Sequence, residues 1–255
     1  MLKKSVTLHE AVKVLTKHYG PPTRLPTTDA FELILWENVA YLAPPTRRRD
    51  AFERLKNTVG TAPAAILAAK QTTLERVTAL GILKSTFAAK LRACAVIALN
   101  TFGGDLGAAI RGPLENATRA LRSFPGIGEP GAEKILLFTG QQALLAPDSN
   151  GLRVLVRLCL VREEESYART YAASRQVARS LPADTGVMQV AHLLLQQHGQ
   201  TLCRRTAPSC GKCPLAPACA FAVAARGAPD ERLQPAKASS GSSSRTRSSR
   251  ARLRG

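Results

Sequence analysis

Four cysteines, Cys203, Cys210, Cys213 and Cys219, stand in the spacing C-x6-C-x2-C-x5-C. The opening residues MLKKSVTLHE lack the apolar core of a signal peptide, so a reducing compartment is expected, where a metal or cluster site suits the cysteines better than disulfides. Structural zinc usually draws on two CxxC or CxxH pairs, and here only Cys210 and Cys213 form one. Four soft thiolates wrapped in one 17-residue loop suit a compact [4Fe-4S] cube better, with zinc and free thiols as the alternatives. The other two cysteines, Cys94 and Cys159, fall on apolar helix faces and are expected to fill core.

A second set of residues occupies 124–153. Phe124-Pro125-Gly126-Ile127-Gly128 ends one helix, turns, and opens another at about Glu129. The glycines supply the backbone freedom of a tight turn and keep side chains away from anything approaching it. The new helix then begins with bare N–H groups at the positive end of its dipole, a place for an anion such as phosphate. An ordinary helix-helix turn has the same pattern. Twenty residues after Gly128 stands Asp148, with Arg153 five residues further on, ahead of the apolar Val154-Leu155-Val156. Asp148 is at the least a helix cap.

Helices must hold these residues, and the composition favours them: Ala and Leu abound while aromatic residues make up 5%. Val6 to Tyr19 has helical spacing and stops at Gly20-Pro21-Pro22. Phe31 to Leu42, capped by Thr28 or Asp29, is apolar apart from Glu32, Glu37 and Asn38, so it must be buried on most faces. Glu37 and Asn38 inside it need a reason. Pro44-Pro45 ends that helix, and Thr46 to Asp50 caps the next. Ser85 is expected to cap a long helix bearing Lys90 and Arg92. Beyond Asp148, helices are expected at about 151–158, 166–181 and 186–202. No strand alternation and no internal repeat occur, so the chain reads as all-α, roughly ten helices joined by short loops.

The net charge is +18 and the pI about 10.4, which suggests a polyanionic partner, nucleic acid before membrane. No apolar run approaches membrane-spanning length, and a cytosolic, nucleoid-associated monomer is expected. Residues 226–255 hold eight basic residues against Asp230 and Glu231, with a Ser-rich run and few apolar residues. They are expected to form a disordered basic arm adding nonspecific affinity.

Hairpin, Asp148, Arg153 and cysteine loop together resemble the helix-hairpin-helix glycosylases of base excision repair, the endonuclease III superfamily, over roughly Phe31 to Cys219. The resemblance implies two helical lobes in 1–225. The hairpin lobe is roughly 31–145, and the cluster lobe combines the N-terminal helix with roughly 146–225. It implies duplex DNA with a damaged or mismatched base as partner, gripped by Phe124 to Gly128, and a [4Fe-4S] cluster on the four cysteines. Arg204, Arg205 and Lys212 in the cysteine loop would touch DNA, and His198 would stand behind the cluster. Asp148 would be the catalytic carboxylate, stabilising the positive charge that builds on deoxyribose as the N-glycosidic bond breaks.

Three departures matter. Bifunctional members carry a Schiff-base Lys two residues after the second hairpin glycine, where this chain has Pro130, so base excision without strand cleavage is expected. Lys134, one turn on, is the alternative amine. Leu42 falls where pyrimidine-specific members place a Gln that probes the opened duplex. Glu37 falls where adenine-mismatch glycosylases keep a catalytic acid; buried, it would have a raised pKa, unless an Arg of the next helix pairs with it. A non-catalytic DNA-binding protein on the same fold is the other reading.

Overall fold

Short polar side chains set many of the helix starts. The structure, a computed structural model, describes residues 6–227. Thr7 forms a capping box with Glu10 and opens α1 (Leu8–Tyr19), and Asp29 accepts from Glu32 N at 2.9 Å to open α2 (Ala30–Val39). Proline at the first helical position starts α3 (Pro45–Thr58) and α4 (Pro63–Ala68), so α3 has no side-chain cap where one was expected from Thr46 to Asp50. α5 (Gln71–Thr78), α6 (Lys84–Phe102), α7 (Leu106–Ile110) and α8 (Leu114–Arg122) lead to the hairpin. α9 (Glu129–Phe138), α10 (Ser149–Arg157), α11 (Tyr167–Ala178) and α12 (Thr185–Thr201) follow, and α13 (Ala220–Gly227) closes the described residues. The chain is all-α, as expected; no strand occurs among the described residues.

The apolar α2 runs through the core, with Ile34, Leu35 and Val39 fully enclosed by α3, α6 and α9. α12 packs on α1, α9 and α10. It approaches α10 so closely that a Cβ at Gly199 would lie 2.5 Å from the Asn150 carbonyl oxygen. Only glycine fits this crossing.

Several expectations need correction. α2 ends at Val39 rather than Leu42, because the backbone leaves helical geometry at Ala40 and turns left-handed at Leu42 (φ 56°). α6 is entered through Leu83, also left-handed (φ 55°), and Ser85 lies inside the helix instead of capping it. Cys94 is fully buried, as expected, but Cys159 is exposed. α10 has already ended at Arg157, and the left-handed Cys159 (φ 57°) turns its side chain away from the core. α13 carries helix past the expected tail boundary at 226, and the rest of that arm lies outside the described residues.

Candidate active-site cleft and cysteine loop

The hairpin is anchored from behind. Phe124 and Ile127 are in the core, with Phe124 stacked on Phe102 at 5.6 Å, so of the five residues expected to meet DNA only Pro125, Gly126 and Gly128 offer surface. Asn38, whose burial in α2 needed a reason, donates from Nδ2 to the Pro125 carbonyl at 3.1 Å and to the Ile34 carbonyl at 3.0 Å. Gly126 is left-handed (φ 80°), and a Cβ there would lie 2.6 Å from Asn38 Oδ1. One buried amide thus fixes the turn, and α9 starts from it with Gly128 as cap. Pro130 occupies its first turn, where a missing N–H costs nothing.

One turn later α9 presents Lys134 to a cleft of about 820 Å3. Its walls bring together Glu37 from α2, Arg48 from α3, Lys134, Asp148 and His192, with Leu42, Arg204 and Arg205 further out. The two expected carboxylates therefore share one cavity.

Asp148 is both cap and cleft residue. Its Oδ1 accepts from Asn150 N (3.0 Å) and Gly151 N (2.8 Å), and its Oδ2 from Asn150 Nδ2 (3.1 Å) and Gln196 Nε2 (2.8 Å). Four donors fill the sites that two carboxylate oxygens possess. Burial works to raise this carboxyl, but His192 where charged, and the bonds from Gln196, Gly151 and Asn150, outweigh it and hold the group below its ordinary range. Asp148 is a fixed anion.

Glu37 departs from expectation. Burial pushes its carboxyl up, yet Lys134 and then Arg48 outweigh that and hold it below the usual range, the reverse of a proton-donating acid. Lys134 Nζ lies 2.6 Å from Glu37 Oε1 and an Arg48 guanidinium nitrogen 4.0 Å away. The expected Arg partner is present, but the Lys from α9 is nearer. The contact is an ion pair outside hydrogen-bond angles: among the described residues Glu37 Oε1 has no hydrogen bond, nor has Arg48 Nε.

His192 was not singled out in the sequence. It is buried in α12, its Nδ1 lies 2.6 Å from the Ala146 carbonyl oxygen, and burial followed by the Lys134 charge lowers its pKa to about 4. Its spacing from other polar residues gave no signal. Leu83 also escaped notice. Leu42 and Leu83 are 69% and 62% exposed, both left-handed, on loops joined by Ile82 N donating to the Tyr41 carbonyl at 3.2 Å. Gly81 permits the approach, since a Cβ there would lie 2.7 Å from Tyr41 N. A non-glycine residue with positive φ costs roughly 1–2 kcal/mol, so the two neighbouring loops each hold a strained, solvent-facing leucine.

Arg153 couples the cleft to the cysteine loop, donating to Asn150 Oδ1 (2.9 Å), the Gly199 carbonyl (2.8 Å) and the Cys203 carbonyl (2.9 Å). Cys203, Cys210, Cys213 and Cys219 are free thiols lining one small apolar cavity with Leu158, Leu202 and Leu215. Burial raises the thiols of Cys213 and Cys219, and the neighbouring cysteines add to it. His198 stands behind them, Nε2 3.5 Å from Cys213 Sγ and Nδ1 3.0 Å from the Tyr19 hydroxyl. Arg157 Nη1 lies 3.4 Å from Cys203 Sγ. Among the described residues no group of three or more His, Cys, Asp or Glu side chains closes on one point tightly enough to hold a metal ion. Arg204, Arg205 and Lys212 are exposed, the two arginines on the cleft rim.

No known family's sequence profile matches the chain. A Methanocaldococcus jannaschii protein provisionally named a DNA repair glycosylase is 22% identical over 222 residues, 83% of this chain and 95% of that protein. The fold is that of endonuclease III and related helix-hairpin-helix DNA glycosylases. An endonuclease III trapped in a covalent DNA intermediate superposes at TM-score 0.70 with 17% identity, over 87% of this chain and 99% of that one. A thermostable thymine-DNA glycosylase gives 0.67 with 15% identity, over 85% and 97%. The Helicobacter pylori 3-methyladenine DNA glycosylase gives 0.56 with 15% identity, over 75% and 95%.

Proposed function

We propose that this protein is a DNA N-glycosylase that excises a base without cutting the strand. The observation carrying the reading is Asp148, an ionised carboxylate held by four donors on the wall of a cleft roomy enough for a base and its sugar. The amides at Gly126 and Gly128 would take a backbone phosphate, and Arg204 and Arg205 another. Leu42 and Leu83 would enter the duplex as an apolar wedge, filling the gap as the target base turns into the cleft, which offsets an unstacking cost of a few kcal/mol. The Asp148 charge would then stabilise the sugar cation while water adds. With its acceptor sites filled, Asp148 acts through its field, and the proton lost by water passes to solvent.

A nucleophilic amine is absent from the usual place at Pro130, and Lys134 is engaged by Glu37; both support excision without lyase chemistry. The cysteine loop supports a [4Fe-4S] cluster through its chemistry: four soft thiols within one 17-residue loop line the same small apolar cavity. Bound there, the cluster would shape the loop that carries Arg204 and Arg205. Single-turnover release of bases from a panel of lesion duplexes tests the function. Asp148→Asn should lose release by about 1000-fold or more while keeping duplex affinity. Equal release by Asp148→Asn would reduce the residue to a helix cap, and duplex binding with release of no base would favour a non-catalytic DNA-binding protein on this fold.

A further inference from the structure

Besides its carboxylates the cleft holds a half-buried amine and a buried imidazole with unused hydrogen-bonding capacity. Lys134 Nζ carries three donors, and its contact with Glu37 is an ion pair that leaves Glu37 Oε1 without a hydrogen bond. His192 gives its Nδ1 proton to the Ala146 carbonyl, which leaves Nε2 an acceptor with no hydrogen bond among the described residues. The charged groups facing this imidazole are Glu37 on α2, Arg48 on α3, Lys134 on α9 and Asp148 at the head of α10. The ring is neutral at ordinary pH, and Glu37 is ionised. The carboxylates and the imidazole therefore offer a leaving base no acid that can hand it a full proton. Lys134 and His192 instead offer a cationic donor beside a neutral acceptor.

We propose that the base taken into this cleft is one that departs as an anion, a 2,4-dioxopyrimidine of the uracil type, with Lys134 Nζ donating to a ring carbonyl oxygen and His192 Nε2 accepting from the imide N–H. The inference rests on the glycosylase reading above. Such a ring sets a carbonyl beside an N–H, the complement of the Lys134 and His192 pair. When the C1′–N1 bond breaks, its electron pair goes to the ring and spreads onto the carbonyl oxygens, where an ammonium stabilises it. Water supplies the hydroxyl at C1′, its proton enters solvent, and the released anion takes a proton from solvent. Adenine has no carbonyl and leaves readily only when its ring is protonated.

The test pairs leaving groups of different quality. Duplexes carrying uracil, 5-fluorouracil or mispaired adenine are compared under single turnover, using wild-type protein, Glu37→Gln and the double variant Lys134→Met/Glu37→Gln. The double variant removes both members of the 2.6 Å pair together, Arg48 then losing its Glu37 contact in both variants alike, and thermal melting verifies its fold. Wild type should release both uracils and spare adenine. Glu37→Gln should keep the wild-type ratio between the two uracils. Adding Lys134→Met should slow uracil release about 100-fold but slow 5-fluorouracil far less, because fluorine already stabilises the departing anion. Equal slowing of both would overturn the role of Lys134, and release of adenine in preference to uracil would overturn the substrate class alone. Release of no base at all, with duplexes still bound, would remove the glycosylase reading and this inference with it.

Discussion

Lys134 Nζ sits 2.6 Å from Glu37 Oε1, one helical turn beyond the proline that replaces the expected amine. The pair joins α9 to α2 across the floor of the cleft, with Arg48 as a second cation 4.0 Å from the same oxygen. An amine close to the sugar site but held by a carboxylate is a poor partner for imine formation. Borohydride treatment of the protein on abasic duplex should therefore trap no covalent adduct. An adduct that disappears in Lys134→Ala would overturn the monofunctional account and move the nucleophile along α9.

The same pair links stability to pH. The folded-state carboxyl of Glu37 lies below its unfolded value, so its contribution is present above the unfolded pKa and is lost as pH falls through the folded one. Glu37→Gln should cost about 2–3 kcal/mol at neutral pH, less than a fully buried pair, because the side chains keep 18% and 13% exposure. In urea titrations the difference between wild type and variant should shrink with acid below about pH 4.5. A constant difference down to pH 3 would mean that the ion pair is not its source.

His192 titrates in the other direction of charge but with the same sign for stability. Its folded pKa of about 4 lies below its unfolded value, so the neutral ring stabilises the fold above about pH 6.5, and that contribution is lost as pH falls toward 4. His192→Gln should remove this segment of the acid destabilisation, leaving the part due to His198, also lowered to about 4. Unchanged acid sensitivity between pH 6.5 and 4 would contradict the buried neutral imidazole.

The hairpin depends on Asn38, a buried side chain of α2. Asn38→Ala should leave the Pro125 carbonyl without its donor, cost about 1–3 kcal/mol of stability and weaken duplex binding. Gly126→Ala should do the same more strongly, since its Cβ would meet Asn38 Oδ1 in a left-handed backbone. Melting and binding curves that match wild type would show that the turn is held by other means.

Much of the site was legible from residue type and spacing. Asp148 caps α10 and the hairpin turns between α8 and α9 where their sequence patterns put them, because a cap and a turn rest on local geometry; the four cysteines line one cavity without closing on one point. Asn38 was legible as an anomaly, a polar residue in an apolar helix, though its partner 87 residues away was not. Long-range pairing is where the reading stopped. Glu37 looked like an acid because burial alone raises a carboxyl, and only the packing of α9 against α2 shows Lys134 beside it. His192 and Leu83 carry no local signal: one is a polar residue in an ordinary helix, the other an apolar residue in a loop. Phe124 and Ile127 belong to the hairpin in sequence but to the core in space.

The most direct measurement is the mass of each strand after single-turnover incubation with uracil- and lesion-containing duplexes. A glycosylase working through Asp148 leaves the strand intact and lighter by one base, broken only by later alkali, and Asp148→Asn leaves the mass unchanged. Unchanged masses with wild-type protein on every duplex it binds would contradict the account.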